Sequence, residues 1–185
     1  MKLIDMKLSP HFTMKEACTS KSKAAQADIL LYTTAAIAIN ATRLANEVLE
    51  PLRMVLDDTP ITVNSWIRTP KINVAVSGSK GSQHLDGLAV DFYHPEMRTA
   101  YDALAHLEVG QRIIYLDAKE NPLWVHASMP GLDWEWWEGK KSWKKPDGSF
   151  VLQSLVCYPN ETPKRYIPFT GRATPVLSAQ GGLVQ

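Results

Sequence analysis

An apolar stripe with helical spacing limits the folds open to this 185-residue chain. Between residues 34 and 56, six apolar residues recur at intervals of three or four, which is the spacing of one helical face. These six are Ile37, Ala41, Leu44, Val48, Leu52 and Val55. Pro51 lies inside this stretch, and because proline removes a backbone donor, we predict a kink or a break there.

Short segments after this helix have the alternation that is typical of β-strands. Residues 61–66 alternate with period two, and residues 88–93 predict a second, buried strand. Residues 112–116 and 123–128 predict a hairpin closed by a turn at 119–122.

Two further helices complete the predicted elements. Thr13 and Glu16 have the spacing of a capping box and predict a short helix, and residues 95–107 predict another. The order of elements therefore predicts an α+β fold, in which N-terminal helices pack on a small, mainly antiparallel sheet.

The composition changes after residue 129. We predict a core over residues 1–129 and a Trp/Lys/Pro-rich extension over 130–185 that packs on it, ragged from about Thr174. Four of the six tryptophans lie between Asp133 and Trp143. Two interpretations of this cluster stay open: a plug over the open side of the sheet, or an aromatic platform for a sugar–peptide polymer.

Charge and composition exclude several classes of protein. Twenty Lys and Arg against nineteen Asp and Glu give a net charge of +1, which argues against bulk electrostatic binding to nucleic acid or an anionic membrane. We find no secretory signal and no membrane-spanning run, so we expect cytoplasmic synthesis. Cys18 and Cys157 predict two thiols rather than a disulfide framework. We also expect the chain to be a monomer.

One loop and two strands place histidine and aspartate together. His84 and Asp91 lie in one loop-to-strand unit, and Gly87 lets the backbone turn between them. His126 lies in an alternating strand that could present a third ligand, and three protein ligands suffice for a catalytic zinc. This spacing alone also fits a surface histidine and a strand-end aspartate, so both interpretations stay open at this point.

Several segments together resemble the zinc-dependent D-Ala-D-Ala carboxypeptidase family, which includes peptidoglycan-cleaving peptidases and many bacteriophage endolysins. The resemblance covers roughly residues 11–129. It rests on Ser82-x-His84-x-x-Gly87-x-Ala89-x-Asp91, Trp124-Val125-His126, and the segments 12–16, 48–53 and 63–73.

The resemblance implies a role for five residues. It assigns His84, Asp91 and His126 as zinc ligands, with Asp91 binding through one oxygen. Arg68 matches an arginine that contacts the substrate, a task that suits the guanidinium fork, although a structural ion pair is the alternative. Ser82 matches a hydroxyl that helps to hold the substrate.

The chain departs from the family pattern at the general base. Many members carry an acidic residue or a histidine where this chain has Leu123, and others carry a glutamate where it has Tyr115. Tyr115 and Asp117 share strand parity and are our candidate catalytic residues. Asp117 is the better base chemically, Tyr115 matches the family distance, and Glu120 is a weaker third option.

The resemblance implies a zinc metallopeptidase that hydrolyses amide bonds in the peptide stem of bacterial peptidoglycan. It would be a phage-encoded D-Ala carboxypeptidase or endopeptidase that acts on the cell wall after release or as part of a virion. The alternative is a catalytically impaired zinc-containing virion or wall-binding protein, which the missing base favours.

Overall fold

The computed structural model of the protein describes residues 2–107, 109–131, 133–137, 142–148, 150–160 and 165–168. The helices are α1 (Met14–Ala17), α2 (Lys23–Tyr32), α3 (Ala35–Leu44), α4 (Glu50–Val55), α5 (Pro70–Ala75) and α6 (Met97–Ala103). The 3₁₀ turns are Leu3–Asp5, Gln83–Asp86 and Leu104–His106, and a π turn covers Ala45–Leu49. The ragged end predicted from about Thr174 lies outside the described residues.

The strands form a large sheet and a small one. They are β1 (Thr62–Ser65), β2 (Ala89–Tyr93), β3 (Gln111–Leu116), β4 (Pro122–Ser128), β5 (Glu135–Trp137), β6 (Ser142–Lys144), β7 (Phe150–Leu152), β8 (Ser154–Tyr158) and β9 (Arg165–Pro168). The large sheet has the order β1-β2-β4-β3-β8-β9, and the small one has the order β5-β6-β7. Among the described strands of the large sheet, only β3 and β8 pair in parallel.

The predicted α+β class is confirmed, with helices on a mainly antiparallel sheet. The predicted hairpin is β3–β4, whose register shifts between Tyr115 and Leu116, so that Leu123 is the extra residue of a β-bulge. Strands β8 and β9 lie in the predicted extension and join the large sheet, while the domain boundary at residue 129 stays a prediction.

The long apolar stripe forms a helical face that lies in the same hydrophobic core as residues of the sheet. Five of its six residues are buried, and Val55 is partly buried. The irregularity predicted at Pro51 occurs one turn earlier, where the π turn leaves Glu50 N–H donating to the Ala45 carbonyl. A widened turn there accommodates a proline ring that would crowd the carbonyl of Glu47 in a regular helix.

The two faces of the large sheet have different surroundings. Val90, Val125 and Ile114 point into the helical core and are at most 3% exposed. Asp91 and His126 are direct partners across β2 and β4, and partners share a face, so both lie on the side opposite this core. The sheet therefore separates the hydrophobic core from its polar residues.

Two buried contacts fix the 3₁₀ turn at 83–86 against the helices. Trp66 is fully buried, and its indole Nε1 donates to the Gly87 carbonyl over 2.9 Å. Gly87 has φ +73°, and a Cβ there would lie 2.8 Å from the Ile37 carbonyl oxygen in α3. The turn can approach α3 this closely only because residue 87 has no side chain.

The cysteines and the helix lengths can be compared with the expectations from the sequence. Cys18 and Cys157 are both buried and are not joined in a disulfide, as predicted. Within the described part of the chain, no helix combines the length and the apolar character needed to cross a bilayer.

Gly87→Ala should therefore destabilise the protein more than Gly148→Ala. Gly148 also has a positive φ, +81°, but a Cβ there meets nothing within 4 Å. Gly148→Ala should therefore lose only the free energy of holding alanine at positive φ, about 1 kcal/mol. Gly87→Ala adds the clash with α3 and should lower the free energy of unfolding by roughly 2–4 kcal/mol. Urea unfolding measures both, and equal losses would contradict the close approach.

Candidate metal centre

Three side chains from three elements meet on the polar face of the large sheet. His84 comes from the 83–86 turn, Asp91 from β2 and His126 from β4, and all three are buried. One ligand atom from each residue lies within 4.8 Å of the others. The structure thus brings together the three residues that the sequence predicted as ligands.

The ring of His84 is held with one nitrogen available to a ligand. Its Nδ1 lies 2.6 Å from the Trp66 carbonyl oxygen, which can only accept, so Nδ1 carries the proton. Its Nε2 is buried without a hydrogen-bond partner among the described residues and lies 3.4 Å from Asp91 Oδ1. A buried lone pair aimed at a carboxylate costs free energy unless a cation satisfies it.

The Asp91 carboxylate divides its two oxygens between two sets of partners. Oδ1 lies 2.8 Å from His126 Nδ1 and faces both histidines. Oδ2 accepts from the Arg68 guanidinium, whose Nε donates to the Ser65 hydroxyl over 2.8 Å. Arg68 thus leaves Oδ1 for a metal ion, which agrees with the one-oxygen binding that the resemblance implies.

The spacing of these atoms suits a small tetrahedral cation. With metal–nitrogen and metal–oxygen bonds of about 2.0–2.2 Å, neighbouring ligand atoms lie roughly 3.4 Å apart. The observed separations of 2.8 and 3.4 Å from Asp91 Oδ1 lie close to this value. The residues present therefore fit a metal ion held by two imidazoles and one carboxylate.

The charges of the cluster follow from burial and from the contacts just described. Burial lowers the pKa of His84, although Asp91 opposes it, so the imidazole is neutral near pH 7. Burial alone would raise the pKa of Asp91, but His84 and the hydrogen bond with His126 outweigh it and hold that pKa well below its usual range. Neutral imidazole and ionised carboxylate are the forms that bind metal.

The predicted substrate-binding residues lie beside this cluster. The Arg68 backbone N–H donates to the His84 carbonyl over 2.9 Å, which ties the arginine to the turn. Ser82 immediately precedes the turn and is half-buried. Its loop is held by Asn73, whose side-chain amide donates to the Ser79 carbonyl over 2.8 Å.

Of the residues considered for general base, Tyr115 lies nearest to the cluster. Ile113 is the β3 partner of His126, and Tyr115 is two residues further along the same face, where its ring stacks on Trp124 at 4.4 Å and 17°. This stacking places an aromatic pair, and no carboxylate, on the strand face next to His126.

Asp117 and Glu120 have partners in the hairpin turn and its surroundings. Asp117 Oδ1 accepts from the backbone N–H of Lys119 and of Asn121, both over 2.8 Å, and hydrogen bonds from Asn121 lower its pKa. At about 3.3 Å per residue, Asp117 lies roughly 13 Å along the strand from the residue opposite His126. Glu120 accepts from the Tyr158 hydroxyl over 2.6 Å.

The sequence did not indicate the groups that orient His84. The acceptor is a backbone carbonyl, that of Trp66, and side-chain identity carries no information about which carbonyl faces a ring. The only signal is a tryptophan at the end of the alternating segment 61–66, which predicts burial and nothing about a hydrogen bond.

A family model described as Peptidase M15 matches residues 10–126, which is more than half of the chain. The matched segment contains the three clustered residues together with Arg68 and Ser82. No curated protein matches the chain.

In the metal-free protein, Asp91→Asn should reduce the acid dependence of stability. The pKa of Asp91 is lower in the folded protein than its value of about 3.9 in the unfolded chain. The ionised carboxylate therefore stabilises the fold above about pH 3.9, and this stabilisation is lost as the pH falls towards the folded pKa. Urea unfolding at about pH 7 and about pH 3 measures the difference. As the pH is lowered between these two values, Asp91→Asn should lose less free energy of unfolding than the native chain. Equal losses would contradict a lowered pKa of Asp91 in the folded protein.

Proposed function

Because the chain belongs to the M15 peptidase family, we propose that it is a zinc-dependent hydrolase of amide bonds in the peptide part of bacterial peptidoglycan. The supporting observation is the cluster of His84, Asp91 and His126, whose ligand atoms lie within 4.8 Å. Two imidazoles and one carboxylate form a donor set that catalytic zinc uses while it keeps a fourth position open. The substrate bond would be that of a terminal D-Ala or an internal bond of the peptide stem.

We further propose that the chain is phage-encoded and acts on the cell wall after release or as part of a virion. The support is the resemblance of its motifs to bacteriophage endolysins within the family. Its near-neutral net charge of +1 is compatible with this role, because recognition would rest on the site rather than on a charged surface.

The residues around the cluster would prepare the reaction. A bound zinc ion would polarise the scissile carbonyl and acidify a water molecule. His84 would keep its ring orientation through the Trp66 carbonyl, and Arg68 would hold Asp91 to one-oxygen binding. The remaining N–H groups of Arg68 could bind a substrate carboxylate, and Ser82 would hold the substrate from the neighbouring loop.

We propose Tyr115 and Asp117 as the catalytic residues, with Tyr115 in the direct role. Tyr115 lies on the strand face of His126, and its phenol carries a proton near neutral pH, so it would donate a hydrogen bond to developing charge. Asp117 would serve as base only if the hairpin turn rearranged, since its Oδ1 accepts from Lys119 and Asn121.

The same observations favour a second function, a zinc-containing virion or wall-binding protein without turnover. At the family's glutamate position, Tyr115 stacks on Trp124, and the nearest carboxylate along β3, Asp117, has partners within its own turn. Such a protein would hold zinc and bind peptidoglycan, yet release no peptide.

The purified protein should contain about one zinc ion per chain and release peptide from peptidoglycan in a chelator-sensitive reaction. His126→Ala should lose both zinc and activity, because it removes one of three ligands. His106→Ala, a histidine outside the cluster, is the matched control and should retain both. Elemental analysis and mass spectrometry of the digest measure them, and zinc with no release from any wall type would contradict the peptidase.

Tyr115→Phe should lower kcat on the order of 100-fold while zinc content stays the same, because it removes only the hydroxyl. Asp117→Asn should change kcat much less, because its carboxylate lies far along the strand. The opposite order would assign the base to Asp117. A gain in kcat for Tyr115→Glu would indicate that the native chain lacks a general base.

A further inference from the structure

A cavity borders the turn that carries His84. It has a volume of about 500 Å³ and lies between the first turns of α3, residues 81–88 and the segment around Trp134. Its polar and aromatic lining includes Asn40, Gln83, Asp86, Asp133, Trp134 and Lys145. His84, Asp91 and His126 do not line it, so it is separate from the metal centre.

The spacing of a 3₁₀ turn explains why one short segment serves both places. Side chains three residues apart in such a turn lie on the same face, so Gln83 and Asp86 share a face that excludes His84. Gln83 and Asp86 line the cavity, whereas His84 faces Asp91 across the metal centre. The wall between the two sites is therefore a single turn of backbone.

Contacts with the end of β4 hold this wall in place. The Gln83 side-chain amide donates to the Met129 carbonyl, and the Met129 N–H donates to the Leu88 carbonyl over 2.9 Å. Asn40 of α3 donates to the Asp86 carbonyl over 2.9 Å. The wall is thus bound on both sides, and its cavity face is preorganised.

The charged residues of the cavity have opposite signs, so any single ion meets a like charge there. Among the described lining residues, two carboxylates, Asp86 and Asp133, oppose one ammonium, that of Lys145, which lies 4.9 Å from the centre of the Trp134 ring. An anion would meet both carboxylates, and a cation would meet Lys145. A neutral ligand rich in hydroxyl and amide groups can instead donate to the carboxylates and accept from the ammonium.

We propose that this cavity binds an N-acetylated amino sugar of the wall glycan. A pyranose has an apolar face that suits the Trp134 indole and an edge of hydroxyls that suits the polar residues around it. The choice of the wall glycan rests on the proposed function. With the glycan on one side of the 83–86 turn, the peptide attached to it would lie near the metal centre on the other side.

The test is the binding of a neutral trimer of N-acetylglucosamine to the full chain, measured by calorimetry. Asp133→Asn removes one carboxylate charge, and Trp134→Phe reduces the aromatic surface. Both should weaken binding about tenfold or more. The matched controls remove a carboxylate charge, in Glu135→Gln, and reduce an aromatic surface, in Trp137→Phe, at residues outside the cavity. Both should bind within about twofold of the native chain. Unfolding midpoints verify that each variant is folded.

Two results would overturn this site. One is the absence of saturable binding by the native chain, and the other is loss of binding in Trp137→Phe with none in Trp134→Phe, which would place the sugar on the small sheet. Release of peptide from a glycan-free stem substrate is assayed in parallel. Peptide release without sugar binding removes only the sugar site, whereas sugar binding without release supports the sugar site and removes the proposed activity.

Discussion

The approach of Gly87 to the Ile37 carbonyl determines where the functional groups lie. Because Gly87 has no side chain, the 83–86 turn can contact α3. The Trp66 indole donates a hydrogen bond to the Gly87 carbonyl and holds the same residue. Because the Trp66 carbonyl also accepts a hydrogen bond from His84 Nδ1, one tryptophan contacts the turn and sets the tautomer of the ring that the turn carries. The contact of the turn with α3 and the hydrogen bond from His84 Nδ1 therefore together determine where His84 Nε2 lies.

A buried carboxylate is tolerated on β2 because Arg68 and His126 each contact one of its oxygens. Desolvation of Asp91 would otherwise cost several kcal/mol, on the order of the penalty for one buried ion. Arg68 donates to Oδ2 and His126 Nδ1 lies 2.8 Å from Oδ1, whereas His84 Nε2 has no hydrogen-bond partner among the described residues. The unmet requirement of the cluster is thus a cation, and this supports a metal as its natural partner.

Local periodicity explains which parts of the fold were predictable. The stripe from Ile37 to Leu52 and the β3–β4 hairpin follow from spacings of a few residues. Alternation indicated only that His126 lies in a strand that could present a ligand, and its pairing with Asp91 is seen in the structure. The parallel pairing of β8 with β3 links residues about forty apart and leaves no local pattern. Asp117 shares the parity of Tyr115, but its side-chain hydrogen bonds to the turn bring it into the hairpin, a competition that alternation alone does not reveal.

The parallel pairing of β3 with β8 has a consequence for the part of the chain beyond residue 129. Without β8, β3 would be the last strand of the sheet, and its backbone donors and acceptors would be open to pairing with other molecules. Ile113 and Ile114 would make such an edge both extended and apolar. Strand β8 thus covers this edge of β3 within the same chain.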